Sequence, residues 1–272
     1  QASIMLMGLS AVLIGLLPTY HSIGIWAPIM LLVFRCLQGL AVAGEFNGSS
    51  IFLMEHAKQN PYFAASWTGW AAAVGMMLGS FSAMLVALPA MPAWTWRIPF
   101  LIGFLICICG VYLRRRFAET PEFLSLCGDG LTVRTPLLKV LQKHRKSFTL
   151  AAVLAAAFSI YLYVGNIFYA GFLIHSAHLL SYQAKLVVTV GTLFVVLFFP
   201  LMARLADRIG GTKLIRLGFL LIILVGPALY LIALTHSLTL ILLIQVFYAI
   251  ADAMVGAPLF RFINGLFPAS VR

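Results

Sequence analysis

The sequence predicts an all-α protein that crosses a membrane several times as a bundle of helices. Of its 272 residues, 62% are hydrophobic and only 9% are charged, and the mean hydropathy is +1.04. A soluble domain carries roughly a quarter charged residues. Charge-free stretches at residues 1–34, 63–96 and 147–184 each supply the roughly 20 apolar residues that a transmembrane helix needs. This composition excludes a soluble enzyme, a disordered chain and a disulfide-stabilised scaffold.

These stretches and the shorter ones between them predict eight spans, four on each side of a polar linker at residues 114–146. The linker divides a first part of a helical bundle, residues 1–113, from a second, residues 147–272. Near the end of the linker, leucines fall on one side of a helical pattern and lysines fall on the other. This pattern predicts a short amphipathic helix on the membrane surface. The predicted spans lie at about 2–19, 26–55, 63–89, 98–113, 147–175, 186–203, 217–235 and 237–262.

The distribution of basic residues predicts the orientation. Fifteen of the 18 basic residues fall in alternate linkers or at the end of the chain, whereas only Arg97 and Lys185 border the opposite set. The positive-inside rule places the fifteen in the cytoplasm, together with Gln1, the central linker and Arg272. The net charge of +11 therefore reflects a multi-pass protein of the cell inner (plasma) membrane and requires no nucleic-acid partner. The fifteen are Lys58, Arg114, Arg115, Arg116, Arg134, Lys139, Lys143, Arg145, Lys146, Arg204, Arg208, Lys213, Arg216, Arg261 and Arg272.

Ionisable residues lie well inside two of the predicted spans, where charge is costly and usually serves a function. Arg35 and Glu45 share the second span, and Asp252 lies in the last. On the functional interpretation Glu45 and Asp252 exchange protons, and Arg35 binds an anionic group or influences Glu45. The alternative is that all three are structural, as a buried ion pair and a hydrogen-bonded helix anchor.

Other polar side chains in the spans are candidates for a solute pathway. Tyr248 precedes Asp252 by four residues and shares its helix face. No nucleophile–base pair, phosphate-binding loop or metal-ligand spacing is present, so we expect neither an enzyme nor a metal or other cofactor. Gly75 and Gly79 have the spacing of a close helix contact. The pathway candidates are Arg35, Gln38, Asn166, Tyr169, Gln245 and Tyr248.

Several motifs, taken in order, resemble the metabolite:proton symporter family of the major facilitator superfamily, which includes proline/betaine and α-ketoglutarate transporters. The longest runs from Leu16 to Glu45 and contains RCLQG followed by a Gly-Glu pair. The polar linker contributes LRRRFAETPEF, residues 113–123, and the chain ends in FPASVR. The remaining motifs are EHA at 55–57, WRIPF at 96–100 and LADRIG at 205–210.

The resemblance implies a twelve-helix, two-bundle fold of which this chain resembles helices three to ten. Arg35, Glu45, Asn166 and Asp252 would then lie on helices that border a central cavity, and Asp207 and Arg208 of LADRIG would form a cytoplasmic gate. The implied function is proton-coupled symport of a small organic solute such as proline/betaine or a carboxylate, by alternating access in a monomer. The alternative is a truncated, non-transporting membrane remnant or interaction partner. It is suggested by Ala203, Gly211 and Gly265, which replace a Gly, an Arg and a Glu of the family's motifs.

The orientation can be tested with single cysteines that replace Asp129 and Ser176 in a variant without the four native cysteines. An impermeant thiol reagent applied to intact cells should label residue 176, since it lies in a linker poor in basic residues, and should not label residue 129. Labelling of residue 129 but not of residue 176 would reverse the predicted topology.

Overall fold

The computed structural model describes residues 2–56, 60–114, 140 and 142–268, and within these ranges the secondary structure is helical. The helices are α1 (Ala2–Leu16), α2 (Tyr20–Ile23), α3 (Trp26–His56), α4 (Pro61–Val86), a 3₁₀ turn (Thr95–Arg97), α5 (Ile98–Arg114), α6 (Arg145–Leu162), a π-helical segment (Tyr163–Phe168), α7 (Tyr169–His175), α8 (Ser181–Ile209), α9 (Gly211–Ala233) and α10 (Leu238–Gly265). Side chains at 43–47 and 55–56 lie outside the described part of α3.

The all-α prediction is confirmed, and each predicted span corresponds to a helix. Six helical stretches are long and apolar enough to cross a membrane, and Ser3–Leu16 and Trp26–Val42 are shorter apolar helices within the described residues. The sixth span was predicted too short, because α8 begins at Ser181 and continues to Ile209. Charged residues near its ends were taken as boundaries, whereas a long helix can extend its ends beyond the hydrocarbon region. The predicted amphipathic helix falls almost entirely on residues outside the described ranges.

The helices form two compact units that do not follow the division of the chain at residues 114–146. One unit comprises Gln1–Ser49 and Leu85–Glu119, and the other comprises Ser50–Met84 and Thr120–Arg272. In the first unit α1 packs along α5, where a Cβ on Gly8 would overlap the Cys107 side chain. Arg97 Nη2 donates a hydrogen bond of 3.2 Å to the Leu17 carbonyl at the end of α1.

In the second unit α10 is the central helix, because it packs against both α8 and α9. One face of α10 presents Ala249, Ala253 and Ala257 to Val195 and Phe199 of α8, and all five are buried. Small residues at such an interface allow two helices to approach closely. In contrast, nothing in the described structure lies within 4 Å of a Cβ placed on Gly75 or Gly79, so the described helices do not form the close contact predicted there.

The two ends of the second unit differ in chemistry. At one end α8 turns into α9 through Gly210, whose φ of +94° suits glycine, and basic side chains from both helices border this turn. At the other end His178 and His236, from the loops before α8 and α10, stack with ring centroids 6.4 Å apart. The α8–α9 turn is therefore the basic end of the unit.

The α9–α10 contact gives a direct test of this packing. A Cβ on Gly218 of α9 would lie 2.6 Å from Val255 Cγ2 and 3.0 Å from Met254 Cβ, so Gly218→Ala should lower the free energy of unfolding by about 1–3 kcal/mol through overpacking. Gly226→Ala on the same helix is the matched control, because nothing lies within 4 Å of its Cβ. Thermal unfolding in detergent should show a lower midpoint for the first variant only. Equal midpoints would contradict the α9–α10 packing.

Candidate functional site

The first candidate site is the contact between Asp207, near the end of α8, and the start of α4. Asp207 Oδ1 accepts a hydrogen bond of 3.0 Å from the backbone N–H of Tyr62, and Oδ2 accepts one of 3.0 Å from that of Phe63. The first four N–H groups of a helix have no partner within the helix, and its N-terminus attracts negative charge. Asp207 therefore caps α4 from a different helix.

Further contacts support this cap. The guanidinium of Arg204 lies 5.1 Å from the centroid of the Phe63 ring. A Cβ on Gly211 would overlap the ring of Tyr62, so the first residue of α9 must be small. Arg208 is exposed and, within the described residues, makes no hydrogen bond or ion pair, so the structure brings only Asp207 of the predicted gate pair into this contact.

Farther along the same two helices, polar groups also connect α4 with α8. The indole N–H of Trp70 donates to the Val196 carbonyl at 3.0 Å, and the hydroxyls of Ser80 and Thr192 are 3.2 Å apart. The capped end of α4 therefore belongs to a longer α4–α8 interface.

The second candidate site is a buried polar cluster in which α6 and the π segment meet α10. The rings of Tyr161 and Tyr248 stack with centroids 4.6 Å apart. Each hydroxyl donates to the other residue's backbone carbonyl, at 2.9 Å from Tyr161 and 3.2 Å from Tyr248. Asn166 Nδ2 donates to the Tyr248 hydroxyl at 3.2 Å and to the Leu162 carbonyl at 3.0 Å. The predicted pathway residues Asn166 and Tyr248 are thus brought together.

The glycine that leaves room for the Tyr248 ring lies in the π-helical segment. The segment begins at Tyr163 and contains Gly165, and a Cβ at residue 165 would overlap the Tyr248 ring. π-helical turns inside longer helices occur frequently at functional sites. Tyr169, which follows the segment, donates instead to the Leu229 carbonyl of α9 at 3.3 Å. Asn166 and Tyr169 therefore face different neighbours although they are three residues apart.

Asp252 lies one helical turn after Tyr248 on α10 and is only 4% exposed. Among the residues that the structure describes, none forms a hydrogen bond or an ion pair with its carboxyl group. An unpaired carboxylate in an apolar interior is unfavourable, and such groups in membrane helices usually mark ion or proton sites. The interpretation of Asp252 as a hydrogen-bonded anchor finds no partner here.

Gln245, on the same face of α10 as Tyr248, is completely buried against α8. Neither its Nε2 nor its Oε1 has a hydrogen-bond partner within the described structure. The side chain lies directly against Gly191, where any Cβ would overlap the amide. Each unsatisfied buried polar group costs about 1–3 kcal/mol. The buried amide therefore weakens the α8–α10 interface unless a partner satisfies it.

Arg35 and Gln38 lie in the first unit, on α3. Arg35 Nη1 donates to Gln38 Oε1 at 3.3 Å, and its guanidinium lies 5.9 Å from the centroid of the Phe100 ring. The guanidinium is exposed, so its remaining donors are available to an anion. Glu45 occupies α3 ten residues later, and its side chain lies outside the described residues.

Sequence reasoning did not identify the glycines and the threonine that shape these sites. Gly165 and Gly191 are needed because large polar side chains rest on them, and Thr192 meets Ser80 on another helix. A glycine opposite a polar residue on another span would have been the signal, but helix pairing is not readable from a single sequence.

Comparison with known proteins identifies the relatives of this chain. A sequence profile of the Major Facilitator Superfamily matches residues 2–272. The chain is 33% identical over 248 residues to the proline/betaine transporter of Escherichia coli K12. The aligned region covers 85% of this chain and 49% of the relative. The chain is 31% identical over 237 residues to the glycine betaine/proline/ectoine/pipecolic acid transporter OusA of Dickeya dadantii, covering 79% and 46% of the two chains. It is 38% identical over 170 residues to a putative metabolite transport protein of Haemophilus influenzae, covering 60% and 37%.

The chain spans about half the length of these two curated relatives. The matched region nevertheless covers most of the chain itself. No solved structure matches it significantly. The match over residues 2–272 and the predominantly apolar helices confirm the predicted resemblance and a multi-pass membrane protein.

Proposed function

Because the chain belongs to the Major Facilitator Superfamily, we propose that it acts in a proton-coupled symporter that moves a small organic solute by alternating access. One observation carries the proposal: Asp252 is buried in a membrane-spanning helix, one turn from the hydrogen-bonded Tyr248 cluster, and none of the described residues pairs with its carboxyl group. A carboxyl group in such a place is stable when protonated and unstable when charged, which suits a group that gains and loses a proton during a transport cycle.

Proton coupling is assigned to Glu45 and Asp252. Glu45 lies on a long apolar helix that also carries Arg35, whose charge would stabilise an ionised carboxylate or hold the acid group of a solute. Asp252 is buried, and no ion pair to its carboxyl group is present among the described residues, so a proton would supply its neutrality.

The proposed solute is zwitterionic, because two of the relatives are named for proline and betaine transport. Within the second unit, Asn166, Gln245 and Tyr248 supply polar groups for a solute. Within the first unit, Arg35 and Gln38 supply a charge and an amide, and they are proposed by themselves as a contact for a solute carboxylate. Tyr169 is proposed to hold α7 against α9 through Leu229 rather than to touch the solute first. The second proposed class of solute is an organic acid that carries a carboxylate and no cationic group of its own. Arg35 alone would bind such a solute.

The gate is assigned to the capped end of α4. Two N–H groups and the helix N-terminus hold Asp207, so separating α8 from α4 would leave both the carboxylate and the N–H groups without their partners. Such a contact favours one arrangement of the helices and can be broken when water reaches it. Arg208 is exposed beside it and is proposed to act in another state of the cycle. We place this basic end in the cytoplasm of an inner-membrane protein that acts as a monomer.

Asp207→Asn tests the gate. The amide removes the charge and keeps one acceptor oxygen, so at least one cap hydrogen bond is lost and the closed arrangement is weakened by about 1 kcal/mol. Turnover in proteoliposomes should fall severalfold, while the Kd for proline, measured by tryptophan fluorescence, should change less than about twofold. Asp129→Asn in the central linker is the matched control and should leave both unchanged. A large loss of affinity with normal turnover would contradict a gating role.

Glu45→Gln and Asp252→Asn test the coupling, because each amide imitates the protonated acid and cannot release a proton. In proteoliposomes, a variant of a coupling residue should lose uphill uptake driven by a pH gradient and keep solute counterflow. If both variants still concentrate solute with protons as the only driving force, the proton-coupling assignment is wrong. Loss of folded protein together with binding would instead indicate the structural role, and a wild-type protein that takes up no solute would support the non-transporting alternative.

A further inference from the structure

The amide of Gln245 is the buried polar group that neither the fold nor the proposed coupling explains. It is fully buried, both of its polar atoms lack partners in the described structure, and it occupies the α8–α10 interface opposite Gly191. Its neighbours are satisfied by contrast. Thr192 bonds the Val188 carbonyl at 3.0 Å, and Tyr248, one turn later on α10, donates to Tyr161 and accepts from Asn166.

A structural role does not account for this residue. A buried amide that holds two helices together does so by a hydrogen bond across the interface, and Gln245 makes none with the residues that the structure describes. Methionine has nearly the same length and would fill the same space without leaving polar atoms unsatisfied. The close approach of Gly191 accommodates the side chain but offers no hydrogen-bond partner to it.

The position of Gln245 instead connects it to the polar stripe of α10. Gln245, Tyr248 and Asp252 are three and four residues apart, so they lie along one face of the helix. Any movement that separates α10 from α8 at Gly191 uncovers the amide beside the Tyr248–Asn166 pair. The amide then presents a donor at Nε2 and an acceptor at Oε1 to whatever occupies that gap.

We propose that Gln245 is a solute-binding residue that selects zwitterions whose nitrogen carries hydrogen. Nε2 donates to the solute carboxylate, and Oε1 accepts from the adjacent ammonium N–H. This inference rests on the proposed transport of zwitterions and adds a specificity to it. Proline and pipecolic acid carry such an N–H, whereas the trimethylated nitrogen of glycine betaine carries none and leaves Oε1 unsatisfied. Sites built to hydrogen-bond a ligand group discriminate strongly against ligands that lack it.

The test compares Gln245→Met with Gln183→Met in the complete, purified protein. Gln183 is the matched control, because its Oε1 accepts from the Leu180 backbone N–H at the start of α8, away from this interface. Three quantities are measured: the thermal unfolding midpoint without solute, and the Kd values for proline and for glycine betaine. Gln245→Met should unfold at the same or a higher temperature than the wild type, since two unsatisfied groups are removed. Its Kd for proline should rise roughly tenfold or more, and its Kd for glycine betaine clearly less.

Gln183→Met should leave both Kd values unchanged and should not raise the unfolding temperature. A lower midpoint for Gln245→Met with an unchanged ratio of the two Kd values would overturn the proposal and make Gln245 a structural residue. Failure of both Gln245→Met and Gln245→Leu to fold would do the same. A wild-type protein that binds neither solute would overturn the proposed zwitterion transport together with this inference. If the wild type binds both solutes and Gln245→Met loses affinity equally for both, the inference alone would be overturned.

Discussion

The structure depends on one constraint, which is that polar groups inside apolar helices must find their partners within the protein. The Tyr161–Tyr248 pair meets it fully, because each hydroxyl is bonded to the opposite backbone and Asn166 adds a further bond. Gln245 and Asp252 lie on the same helix face and do not meet it in the described structure. Satisfied and unsatisfied groups thus alternate along α10, and the unsatisfied ones are where solute and protons are proposed to act.

Glycines determine how closely the helices of the second unit approach one another. Tyr248 can stack on Tyr161 only because Gly165 leaves room for its ring, and Gln245 can enter the α8–α10 interface only because residue 191 is glycine. The π-helical segment fits the same explanation, since it places Gly165 under the tyrosine and directs Tyr169 toward α9. Large polar side chains are therefore matched to glycines on neighbouring helices.

The departures from the family motifs around LADRIG are explained in part by packing. Gly211 stands where the family motif has an arginine, and the structure shows that a Cβ there would overlap the ring of Tyr62 beside the cap formed by Asp207. Ala203, which replaces a glycine, is fully buried in the α8–α10 core. These two substitutions are compatible with well-packed contacts at this end of α8 and do not by themselves indicate a decayed protein.

The sequence by itself determined the helical, membrane-spanning fold, the positions of the helices and the family, because hydrophobic length and motif order are local properties of the chain. It also identified Asn166, Gln245, Tyr248 and Asp252 as unusual, since polar groups in apolar spans are rare, and it identified Asp207 through the resemblance of LADRIG to a family motif. Only the tertiary structure decided that Asn166 meets Tyr248 and that Asp207 caps α4 while Arg208 is exposed. It also decided that Gln245 and Asp252 find no partner among the described residues. Those outcomes depend on which helices pack together and on how a π turn rotates the residues after it, and neither follows from spacing along one chain.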